Sequence, residues 1–125
     1  MNAYLVVFLG AGIGGALRHG VNVSALRLLG SGYPFGTLAV NVIGSFVMGL
    51  GAAWFALRLD PGQTWRLLLM TGILGGFTTF SAFSLDTALL VERGAPLAAA
   101  GYVLFSVLGS IAALFLGLVL VRQIA

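Results

Sequence analysis

Uncharged apolar stretches of membrane length, separated by short polar breaks, set the pattern of this chain. Residues 36–57 run 22 positions without a charged side chain, residues 67–85 run 19, and residues 95–121 run 27. At 1.5 Å per residue the shortest reaches about 28 Å, close to the hydrocarbon thickness of a bilayer. An earlier stretch, residues 3–17, is uncharged for 15 positions and carries on past Arg18 to about Leu29. It lacks the basic residues that open a signal peptide and continues into a polar, arginine-bearing segment, so it reads as a membrane helix. The pattern predicts an all-α integral membrane protein with one domain over residues 1–125. Its four spans fall at about 3–29, 36–57, 66–91 and 95–121.

The third span is not uniformly helical in composition. Gly75–Ser84, GGFTTFSAFS, sets paired glycines and paired threonines among serines and phenylalanines. Gly costs a helix about 1 kcal/mol relative to Ala, and Thr is a poor helix former. Non-helical backbone at membrane depth persists only where protein buries it or water reaches it. The segment therefore predicts a third helix broken mid-membrane over Gly75–Thr79, with carbonyl oxygens suited to a hard cation such as Na⁺. Just beyond the break, Phe80 and Phe83 share a helix face, as do Ser81 and Ser84. The edge of a phenyl ring is electropositive, so rings set edge-on can face an anion without offering a full charge.

Two other spans carry polar stripes. Thr37, Asn41 and Ser45 recur at i, i+4, i+8, with Gly44 beside them, and Tyr102, Ser106 and Ser110 repeat that spacing. Singly, each side chain has an ordinary use, bonding its own backbone or a neighbouring helix. An Asn amide has more donors and acceptors than one helix can satisfy. Jointly the two stripes predict a track of neutral donors for a small, partly dehydrated anion. Arg18 either snorkels to the interface or draws anions to a vestibule, with His19 beside it as an interfacial residue.

Composition and charge narrow the class. The chain is 60% hydrophobic and 7% charged, too few charges for the surface of a soluble domain. It has no cysteine, which removes disulfides and thiolate metal sites. All six basic residues are arginines. Arg58, Arg66 and Arg122 fall on the side of the termini, Arg27 and Arg93 on the other, with Arg18 deeper. A bias too small to orient the protein leaves two readings, weak orientation set by other factors or insertion in both directions. Scattered arginines make no clustered basic face, so nucleic acid is not a partner. Residues 10–15, GAGIGG, fit a dinucleotide fingerprint, but no acidic residue follows before Asp60. Gly10 and Gly14 instead form a small-residue packing motif. The first, second and fourth spans hold no carboxylate, and Asp86 sits near the end of the third. Proton-coupled export relies on a protonatable acid in the membrane, so a passive pore is favoured.

Three segments together resemble the fluoride channel family known as Fluc or CrcB. They are GAGIGGALR at 10–18, GTLAVNVIGSFVMG at 36–49 and GILGGFTTFSAFS at 72–84. The resemblance spans the whole chain and implies an antiparallel, dual-topology homodimer in a bacterial inner membrane, passing fluoride passively. It implies a structural Na⁺ held by main-chain carbonyls of Gly75 and Thr78. Phe80 and Phe83 become pore-facing rings, Asn41 the second-span pore residue, Ser106 and Ser110 the fourth-span track, and Arg18 the vestibule arginine. Ala82 stands where the family often has Thr. A small dual-topology, proton-coupled multidrug exporter is the alternative, but it uses an acid in its first helix, where this chain has Arg18 instead, and a non-conducting helical scaffold would leave the polar stripes unexplained.

Overall fold

The computed structural model describes residues 2–57 and 62–124, and Arg58 and Asp60 lie outside the described residues. Helix α1 covers Ala3–Leu29 and α2 covers Phe35–Leu57. The third span opens with a short α3, Gln63–Arg66, which continues as a π-helical stretch, Leu67–Leu74, and then α4, Gly75–Phe77. Helix α5 covers Phe80–Glu92 and α6 covers Pro96–Ile124. Among the described residues four helical lengths (Ala3–Leu29, Phe35–Leu57, Gln63–Glu92 and Pro96–Ile124) are long and apolar enough to cross a membrane. Among the described residues there is no strand.

The third span begins three residues before the expected boundary near 66. Gly62, at φ 94°, turns the chain in a conformation that side chains resist, and Gln63 starts winding at once. Gly30 and Gly94, both at φ 82°, end α1 and follow α5 in the same way. Asn2 caps α1 by accepting a bond from the Tyr4 amide at 2.7 Å.

Small residues decide which helices meet. α1 lies on the π-helical stretch and α4, while α2 lies along α6, the most extensive packing in the molecule. A methyl group on Gly14 would overlap the Ile73 carbonyl, and one on Gly10 would sit 2.9 Å from the Gly72 Cα. Likewise, methyls on Gly49 and Gly117 would strike the main chain at Leu114 and Phe46. Lipid offers no hydrophobic drive for helix association, so close backbone approach at such glycines supplies it through van der Waals contact. The contacts ascend together (Gly10 on Gly72, Gly14 on Phe77), so α1 and the first half of the third span run parallel.

Candidate functional site

The unwinding expected over Gly75–Thr79 is narrower than that. Gly75 keeps helical angles, φ −62° and ψ −38°. Thr78, at φ −87° and ψ 160°, and Thr79, at φ −156° and ψ 123°, are extended. Thr is β-branched and tolerates extension, and its hydroxyl can start the next helix. Thr79 does so, its Oγ1 accepting the Ala82 amide at 3.1 Å.

Among the carbonyls that lose their helical donors at this point are those of Gly75 and Thr78. In a continuous helix Gly75 O receives the Thr79 N–H, and Thr78 O receives the Ala82 N–H. Here Thr79 N–H goes to Asn41 Oδ1 at 2.8 Å, and Ala82 N–H goes to the Thr79 hydroxyl. Asn41 Nδ2 completes the pairing by donating to Thr79 O at 3.0 Å. Gly44, one turn further along α2, makes room for the break: a methyl there would collide with Thr78 Cγ2. Among the described residues no three His, Cys, Asp or Glu side chains gather into a metal cluster. The oxygens exposed by the break are hard, neutral donors of the kind that suit an alkali cation.

Beside the break lies an open cavity of about 260 Å³ lined by Asn41, Ser45, Thr78, Thr79, Phe80, Phe83, Ser106 and Ser110, together with Val107 and Ile111. It thus joins the α2 stripe, both phenylalanines and the lower part of the α6 stripe. Ser106 Oγ and Ser110 Oγ are buried and have no hydrogen-bond partner among the described residues. Hydroxyls elsewhere in these helices behave otherwise: Thr78, Ser84 and Thr87 each donate to the carbonyl four residues back, at 2.9–3.0 Å. A buried hydroxyl left unpaired costs about 1–3 kcal/mol, so an unpaired couple facing a cavity asks for an explanation.

The rings differ in setting. Phe83 is 8% exposed and Phe80 75% exposed, with centroids 5.3 Å apart and planes tilted by 56°. Phe83 also packs at 5.3 Å against Tyr102, with planes tilted by 46°, and Tyr102 meets Tyr33 edge-on at 5.6 Å.

Other expected site residues lie apart from the cavity. Tyr102 shares the α6 stripe but is fully buried, and its hydroxyl donates to Asp86 Oδ2 at 3.1 Å. Asp86 lies within α5, which runs on to Glu92, and lines a second cleft of about 390 Å³ with Asn22, Tyr33, Thr37 and Arg93. Ser81 and Ser84 are exposed; Ser81 sits 3.3 Å from the Thr79 hydroxyl, and Ser84 bonds its own helix. Arg18 is half-buried, and its Nε donates to Gly76 O at 3.2 Å. The cap at Thr79 was readable as an N-cap hydroxyl ahead of a helix, whereas the Arg18–Gly76 contact joins residues 58 apart and left no local signal.

Comparison with known proteins bears on this arrangement. Residues 5–118 match the family described as CrcB-like protein, Camphor Resistance (CrcB). A protein of Methylobacterium nodulans named fluoride-specific ion channel FluC is 60% identical over 119 residues, 95% of each chain. One of the same name from Granulibacter bethesdensis is 56% identical over 124 residues, 99% of this chain and 98% of its own. Another from Caulobacter vibrioides is 48% identical over 125 residues, again 99% and 98%. With the match running over nearly its whole length, through the broken span and both polar stripes, this chain belongs to the CrcB family.

Proposed function

We propose that the protein is a passive, fluoride-selective ion channel of a bacterial inner membrane. The observation that carries this reading is the pair of buried hydroxyls, Ser106 and Ser110, without a partner among the described residues and facing a cavity that Phe80, Phe83 and Asn41 also line. A small, strongly hydrated anion needs donors to replace its water, but a full positive charge would trap it. Neutral hydroxyls, an amide and positive ring edges supply donors without that trap. The names of the relatives support fluoride as the anion.

The working unit is an antiparallel homodimer with the break at mid-membrane. Phe80, exposed on a single chain, and the near balance of arginines between the two sides support this. A structural Na⁺ is held by main-chain carbonyls of Gly75 and Thr78, whose helical donors are spent elsewhere. Its charge, balanced by peptide oxygens, fastens the broken spans together and is not itself carried across. Ser81, Ser84 and Tyr102 belong to the approaches of the pathway rather than to its central cavity.

The physiology follows from acid chemistry. Hydrogen fluoride crosses lipid uncharged and dissociates in the more alkaline cytoplasm, where the anion is trapped. An interior-negative potential then drives fluoride out through a passive pore. The test is ion efflux from liposomes holding the pure protein. Rapid fluoride release with chloride nearly excluded is the expected result; release only under an imposed proton gradient would point to an exporter instead.

A further inference from the structure

Arg18 has a partner more specific than the membrane interface. Its Nε donates to the main-chain oxygen of Gly76 at 3.2 Å. That oxygen belongs to the last turn of the first half of the third span, where a helix leaves carbonyls without helical donors. The neighbouring carbonyls are accounted for differently. Leu74 O receives both the amide and the hydroxyl of Thr78, at 3.1 and 3.0 Å. Gly75 O has lost its helical donor to Asn41. Arg18 therefore fills one particular gap, at the end of a half-helix whose dipole favours a cation.

The position of Arg18 follows from the glycine packing. Gly10, Gly14 and Arg18 recur at i, i+4, i+8 on one face of α1. The first two bring α1 into backbone contact with Gly72 and Phe77. The next residue on that face therefore arrives just past the end of α4. From the other side, Asn41 holds Thr79 through two bonds. Phe77 and Thr78, the residues between, are flanked by tethers from two different helices.

We propose that Arg18 is a positioning residue: together with Asn41 it clamps the break, taking up the Gly76 oxygen while those of Gly75 and Thr78 stay without helical donors. The functional consequence rests on the channel reading above, whereas the clamp itself does not. Charge at a vestibule would be a different use of the same residue, and side-chain chemistry separates the two. In Arg18→Gln the amide nitrogen hangs on Cδ, as Nε does, so the bond to Gly76 survives without the charge. In Arg18→Lys the charge survives, but a methylene occupies the donor position. Arg18→Met keeps neither.

The experiment measures hydrogen exchange at the amides of Phe77, Thr78 and Thr79, and fluoride efflux, for dimers purified as single species. The expected result is that Arg18→Gln retains wild-type exchange and at least half the flux. Arg18→Lys and Arg18→Met exchange at least about tenfold faster there and lose flux to match, as loss of a charged-donor bond implies. Three results would overturn the proposal: flux kept by Lys and lost by Gln, wild-type exchange in Arg18→Met, or equal losses in all three variants. Should the Met variant not fold, Gln against Lys decides alone. If the wild-type protein passes no fluoride, the channel reading fails, and the exchange arm still decides the clamp.

Discussion

The side-chain amide of Asn41 is bonded twice to the main chain of Thr79, donating to its oxygen at 3.0 Å and accepting from its nitrogen at 2.8 Å. The pairing has the form of a rung in a β-ladder, placed where a helix has been interrupted. It supplies partners to a backbone segment that has given up its own, and it leaves one N–H of the amide for the adjoining cavity.

Replacing Asn41 tests that pairing. Asn41→Asp keeps the shape but puts an acceptor opposite the Thr79 oxygen, and Asn41→Leu removes both bonds. Each is expected to cost about 2 kcal/mol, the price of leaving buried main-chain groups unpaired. A lowered melting temperature in detergent, with fluoride efflux reduced at least about tenfold, is the expected reading.

Ser106→Ala and Ser110→Ala separate transport from packing. Since neither hydroxyl has a partner among the described residues, removing it takes away an unsatisfied group. Melting temperature is expected to hold or rise slightly, while fluoride flux falls. A loss of stability with flux intact would instead assign both residues to holding helices together.

The two phenylalanines should part company under the same substitution. Phe83 is buried against Tyr102 and Phe80, so Phe83→Ile is expected to lower chain stability by about 1 kcal/mol as well as flux. Phe80 is largely exposed on the single chain, so Phe80→Ile is expected to lower flux and leave the fold of the chain unaltered. Thermal melts paired with liposome efflux read both quantities.

Helix packing has its own control pair. Gly14→Ala drives a methyl into the Ile73 carbonyl, whereas Gly12 has nothing within 4 Å of the corresponding position. The first change is expected to destabilise by about 1–3 kcal/mol through overpacking. The second is expected to be neutral or slightly stabilising, because Ala is the better helix former.

Sodium removal tests the carbonyl site. Replacing Na⁺ on both sides of the membrane with a large organic cation is expected to stop fluoride efflux. Isotopic sodium is expected not to move with fluoride when Na⁺ is restored. Sodium crossing with the anion would show a transported ion rather than a structural one.

Membrane length, apolar run and polar spacing are local properties, so the sequence by itself determined the helical class, the four spans and the stripes they carry. The glycine–threonine cluster likewise marked where helical winding is weakest, because propensity acts residue by residue. What it did not determine was how far the winding fails. Local propensity condemned Gly75 and Gly76 along with the threonines, yet both stay helical, Gly76 with the main chain of Ala11 in α1 packed against it. Tertiary structure confined the break to Thr78 and Thr79, because Asn41 on a different helix accepts the amide that would have continued it. It also divided the α6 stripe, turning Tyr102 to Asp86 while Ser106 and Ser110 face the cavity. Spacing places residues on one face of a helix, but only the neighbours packed there decide what each one touches.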